Sequence, residues 1–198
     1  MAEYRPGRAF TWLLAIAGAL GLYGSSVLTI DKIRLLENPN YVPSCNINPI
    51  ISCGSVMRTH QAAIFGFPNS LLGLVGFGVV LTIAAAVLAG ARFRPWFWLG
   101  LQFVSLLAVV LITWLMTQTL YVIGALCPYC MVVWVVTIAI FWYTTLFNLR
   151  SGVIPVGDRM KPVVRELHRY HWVVPVLWYA VIALLILNRF WYYWKTLI

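Results

Sequence analysis

The chain has 198 residues and a net charge of +9, with 62% hydrophobic residues and 10% charged ones. A soluble domain is nearer half apolar and a quarter charged, so the charges here are too few for a polar shell and most of the surface is expected to face lipid. The positive charge lies between long apolar runs, as in basic loops flanking membrane spans, and this argues against a nucleic-acid partner.

A helix needs about 20 mainly apolar residues to cross a bilayer, and five segments meet that test. The first, 10–30, follows Arg5 and Arg8; it is longer than the core of a signal peptide and no A-x-A site follows it, so it reads as a retained span. A loop over 31–67 comes next. Its first part carries Asn38, Pro39, Asn40, Pro43, Asn46, Asn48 and Pro49 and reads as irregular. Its second part, 54–65, sets Val56, Met57, Ala63 and Ile64 against Arg58, Thr59, His60 and Gln61, the pattern of a short amphipathic helix covering the outer ends of the spans. The remaining spans are 68–91, 95–122, 127–149 and 172–194, the last apolar to Leu187 and ending on the aromatic run Phe190–Trp194. With the last span taken only to Leu187, the spans contain no Asp, Glu, Lys or Arg, which argues against an ion or proton pathway. No internal repeat, low-complexity segment or nucleotide-binding glycine pattern is present, and 1–198 reads as one integral membrane domain.

Orientation follows from basic residues in the connecting loops. Arg5, Arg8, Arg92, Arg94, Arg150, Arg159, Lys161, Arg165 and Arg169 fall on one side, and Lys32, Arg34, Arg58, Arg189 and Lys195 on the other. The excess puts the N-terminus in the cytoplasm and the C-terminus outside a cell membrane. The 31–67 loop and the start of the fourth span then face outward. All four cysteines, Cys45, Cys53, Cys127 and Cys130, therefore lie on the oxidising side, where disulfides persist.

Cys127-Pro128-Tyr129-Cys130 opens the fourth span. Pro128 suits a first helical position, and the helix N-terminus favours a thiolate. Redox catalysis, two structural disulfides and a zinc site are all compatible with four cysteines. Zinc fits least well, because Cys45 and Cys53, with seven residues between them, make a poor knuckle, and no metal is expected. A soluble thioredoxin fold would need a βαβ context that is absent. Cys130 sits one turn into a span, whereas Cys45 and Cys53 sit on a loop within reach of solvent. That contrast suggests a relay in which the loop pair meets a protein and the helix pair meets a lipid-soluble oxidant, for which a quinone is the two-electron acceptor at hand.

Three segments carry a family resemblance. The run Ser44-Cys45-Asn46-Ile47-Asn48-Pro49-Ile50-Ile51-Ser52-Cys53-Gly54-Ser55-Val56 resembles the loop of the vitamin K epoxide reductase family. Gly66-Phe67-Pro68-Asn69-Ser70-Leu71-Leu72-Gly73 resembles that family's second-span start, and Leu126-Cys127-Pro128-Tyr129-Cys130-Met131 its active-site motif. The resemblance is strongest to the bacterial branch and covers the first four spans. It implies an all-α polytopic membrane protein, a four-helix bundle around a quinone of the menaquinone or ubiquinone type, here with a fifth transmembrane helix.

The resemblance also implies roles. Cys45 exchanges with a partner protein, Cys53 relays to Cys127 through a transient disulfide, and Cys130 contacts the quinone. Asn69 hydrogen-bonds a quinone carbonyl, although asparagine there also suits a helix N-cap. Thr59 and Trp134 fall near the quinone pocket. His60 as a proton donor, Arg58 as a thiolate stabiliser and Trp114 as a pocket wall compete with surface, headgroup and lipid-facing readings. Trp134 stands where the animal enzymes carry a tyrosine, which counts against epoxide reduction. Many bacterial relatives continue into a fused thioredoxin domain. This chain ends at Ile198, so a separate DsbA-like thioredoxin-fold protein on the outer face is the expected partner. The expected function is a thiol:quinone oxidoreductase that makes disulfides de novo. The alternatives are a thiol-driven reductase of quinone or vitamin K epoxide, and a membrane scaffold or transporter with structural disulfides.

Overall fold

The computed structural model describes residues 4–195; the two chain termini lie outside it. Among the described residues the fold is all-α, and four helices are long and apolar enough to cross a membrane. α1 spans Arg8–Glu37, α3 Ser70–Leu88, α4 Pro95–Thr117 with a π-helical extension Gln118–Ile123, and α5 Pro128–Arg150. The chain is a multi-pass membrane protein, and the outward faces of these helices carry Val75, Phe103, Leu107 and Val110 to lipid.

α1 runs seven residues past the expected end of its span. At ~1.5 Å per residue its 30 residues cover about 45 Å, more than the ~30 Å hydrocarbon core. The reason is apolar spacing: Leu28 and Leu35 lie two turns apart on one face and both pack against the cysteine loop. The polar residues from Asp31 to Glu37 are thus helical rather than irregular. The expected amphipathic helix over 54–65 is also corrected. It divides into α2, Cys53–Met57, and a 3-10 turn, His60–Ala63, because Thr59 takes an extended conformation between them.

α1 packs closely on α3 and α5, and α5 packs on α4. Small residues make the first contact tight. The Phe77 ring lies over Gly21, Ser25 sits against Gly73, and a Cβ at Gly18 would come within 3.1 Å of the Leu81 backbone nitrogen. The α4–α5 contact carries a buried polar latch, with Asn148 Nδ2 donating to Gln102 Oε1 at 3.2 Å and to the Trp98 carbonyl at 3.3 Å.

The fifth apolar segment is α7, Val173–Arg189. Its 17 residues stand at the lower limit of a span. It is preceded by the amphipathic α6, Lys161–Arg169, at a 65° bend, and followed by a short α8, Trp191–Trp194. Arg189 at its end donates from Nε to the Leu120 carbonyl at 2.8 Å, holding the π-helical end of α4.

Candidate functional site

The 31–67 loop is built around two asparagines. Asn48 Oδ1 accepts from the Ile50 and Ile51 N–H groups at 3.0 and 2.7 Å, closing a tight turn. Asn46 Oδ1 accepts from Gly54 N at 2.9 Å and from Ser52 Oγ at 3.2 Å. A Cβ at Gly54 would stand 2.9 Å from the Asn46 amide nitrogen, so glycine follows Cys53 for steric reasons. Ser52 caps α2 by accepting from Ser55 N at 3.2 Å, which fixes Cys53 at the first helical position.

One rung of parallel pairing joins this loop to the segment before α5. Ser52 N donates to the Leu126 carbonyl at 2.9 Å, and Leu126 N donates to the Ile50 carbonyl at 2.6 Å. The residues that follow, Cys53 and Cys127, are thereby brought together, with their sulfurs 3.2 Å apart. Cys45 and Cys53 form a disulfide, while Cys127 and Cys130 are free thiols. With two of the four sulfurs bonded, a four-thiolate zinc set is not formed in this state. The expected solvent-reachable loop pair is corrected as well. Cys53 and Cys127 are fully buried and Cys45 is 6% exposed, because Leu28, Leu35, Met57 and Tyr129 close over them. The residues flanking Cys45, Ser44 and Asn46, are exposed.

Beside the inner pair lies a cavity of about 240 Å³ between α1, α3, α4 and α5, under the loop. Its walls are mainly apolar, and Cys130, Thr59, Asn69 and Trp134 all line it. Asn69 does not cap α3. Instead Nδ2 donates to the Gln61 carbonyl at 2.7 Å and Oδ1 accepts from Ile64 N at 3.2 Å, so the side chain organises the 3-10 turn. An amide nitrogen has two donors, and the second has no partner among the described residues. Thr59 uses its hydroxyl to donate to the Val56 carbonyl at 2.7 Å. Trp134 is buried, whereas Trp114 is 42% exposed on the lipid face of α4 and takes no part in the cavity. His60 and Arg58 are exposed and also stand outside it. Arg58 instead donates to the Pro39 carbonyl at 2.6 Å.

Four residues escaped the sequence reading. Lys32 lines the cavity and donates to the Met57 carbonyl at 2.6 Å. Gln118 and Thr119 enter from the π-helical turn, a distortion common at functional sites. Asp31 is buried against the cysteine loop. The signal for Asp31 was present in the spacing of Leu28, Asp31 and Leu35, which puts a carboxylate on an otherwise apolar face.

The site therefore joins an enclosed dithiol and disulfide to an apolar cavity with a few directed polar groups, suited to a flat apolar ring bearing hydrogen-bond acceptors. The model of the vitamin K epoxide reductase family matches residues 12–145, well over half of the chain. No curated protein matches it.

Proposed function

The chain belongs to the vitamin K epoxide reductase family, and on that premise we propose that it is a membrane thiol:quinone oxidoreductase that generates disulfides de novo. The observation that carries the reading is the 3.2 Å approach of Cys127 Sγ to Cys53 Sγ, with Cys130 on the cavity wall. One sulfur-to-sulfur path then runs from the loop to the cavity.

Electrons come from the dithiol of a DsbA-like thioredoxin-fold partner on the outer face. A partner thiolate attacks Cys45, the Cys45–Cys53 bond breaks, and Cys53 leaves as a thiolate. Cys53 attacks Cys127 in a Cys127–Cys130 disulfide, releasing Cys130. The partner's second thiol resolves its mixed disulfide with Cys45 and leaves oxidised. Cys45 then attacks Cys53, restoring the Cys45–Cys53 disulfide and releasing Cys127. The inner pair now holds the two electrons, the arrangement of the structure described above. A quinone bound in the cavity would supply the two-electron acceptor for the Cys127 and Cys130 dithiol. Asn69 would hold a ring oxygen with its spare amide N–H, where charge develops on reduction. Trp134 closes the cavity wall.

The packing supports access from the bilayer, since α3 and α4 are not closely packed on each other and both line the cavity. About 240 Å³ suits a ring, with any isoprenoid tail left among the lipids. The excess of basic loops supports a cytoplasmic N-terminus, with the C-terminus and the four cysteines outside. The test is quinone reduction by the purified protein supplied with a reduced thioredoxin-fold dithiol. Cys130→Ala is expected to abolish it, and retained turnover would remove Cys130 from the quinone step.

A further inference from the structure

Asp31 stands on α1 between Leu28 and Leu35, both of which pack in the cluster around Cys45, Cys53 and Cys127. It is 4% exposed. The Tyr41 hydroxyl donates to Oδ1 at 2.9 Å, while Oδ2 is buried with no hydrogen-bond partner among the described residues. The neighbouring cations are committed elsewhere: Lys32 to the Met57 carbonyl, Arg58 to the Pro39 and Tyr41 carbonyls, Arg34 to the Tyr41 hydroxyl. Tyr41 itself packs against the cysteine cluster, as does Tyr129 from α5, and Tyr23 of α1 packs edge-on against Tyr129. A half-satisfied carboxylate in a dry cluster is costly. An amide would serve equally well as the acceptor for Tyr41, so the acid calls for a further role.

We propose that Asp31 is the proton acceptor for exchange between the outer and inner cysteine pairs; this rests on the relay reading given above. Exchange needs a thiolate, and the sulfurs concerned are nearly closed to water. In the forward step Asp31 takes the proton of the Cys45 thiol. The Cys45 thiolate attacks Cys53 in the Cys53–Cys127 disulfide, so the Cys45–Cys53 bond forms and the Cys53–Cys127 bond breaks. Cys127 leaves as a thiolate and takes the proton back from Asp31. The carboxylate ends as it began, and two electrons have passed to the inner pair with no other oxidant or reductant.

The test uses the full-length protein in detergent, fully reduced and then given one equivalent of a small-molecule thiol oxidant, without partner or quinone. Acid quenching, alkylation and peptide mapping follow the interconversion of the Cys45–Cys53 and Cys53–Cys127 forms across neutral pH. Wild type is expected to interconvert at a rate nearly flat with pH. Asp31→Asn keeps the acceptor for Tyr41 and should slow it by ~100-fold at pH 7, the rate then climbing about tenfold per pH unit as hydroxide replaces the base. Asp31→Glu should recover most of the loss. A wild-type rate that itself climbs tenfold per pH unit overturns the proposal without any variant. So does Asp31→Asn exchanging as wild type does, or Asp31→Glu as slow as Asp31→Asn. Absence of any Cys53–Cys127 form in wild type is a different result, and it would instead refute the relay on which the proposal stands.

Discussion

Ser52 donates its backbone N–H to the Leu126 carbonyl at 2.9 Å, and each of these residues immediately precedes a cysteine of the relay. This rung fixes the register of the loop against the start of α5. A slip of one residue along an extended strand moves the chain by about 3.3 Å, as far as the two sulfurs are now apart, and turns the side chain to the opposite face.

The loop holds that register through Asn46. Asn46→Ala removes the acceptor of both Gly54 N and Ser52 Oγ. The expected local cost is about 1–2 kcal/mol. Limited proteolysis of the 31–67 loop should quicken, while the thermal unfolding of the helices in detergent changes little.

At the cavity, Asn69→Ala deletes the bonds to Gln61 and Ile64 along with the donor proposed for a quinone. Asn69→Asp retains the acceptor for Ile64 N but loses the donors. Both variants are expected to raise the KM for quinone and lower kcat, by ~1–3 kcal/mol of transition-state stabilisation together. Asn69→Asp should keep a better-ordered turn, seen as slower amide exchange at Ile64. Steady-state quinone reduction and hydrogen exchange check the two parts.

The helix bundle depends on close approach of α1 and α3. Gly18→Ala puts a Cβ 3.1 Å from the Leu81 nitrogen, a backbone atom that cannot rotate away. Overpacking of this kind costs about 1–3 kcal/mol. The variant should unfold at a lower temperature in detergent, with the disulfide exchange chemistry intact.

Much of the fold was legible because bilayer solvation imposes a simple rule, long charge-free apolar runs, and α3, α4 and α5 follow it within a few residues. The C-x-x-C pair was legible because Pro128 and the following apolar run mark a helix start. The end of α1 was not, since Asp31, Lys32, Arg34 and Glu37 look like loop residues until the Leu28–Leu35 spacing is weighed against them. The burial of Cys45 was hidden for a related reason. An Asn- and Pro-rich stretch reads as open chain, yet Asn46 and Asn48 spend their side chains folding it into a lid. Asn69 suited a cap by residue type, but its partners lie back in the 3-10 turn, a non-local arrangement that propensity does not report.

The central claim is that electrons cross between Cys53 and Cys127. Cys45→Ala frees Cys53 from its disulfide partner while leaving it 3.2 Å from Cys127 in the wild-type geometry. Mass-spectrometric mapping of this variant, purified without reductant and alkylated at once, is the direct measurement. A Cys53–Cys127 disulfide as the main linked species is the predicted result. Recovery of Cys127 linked to Cys130 throughout, with Cys53 alkylated as a thiol, would contradict the relay.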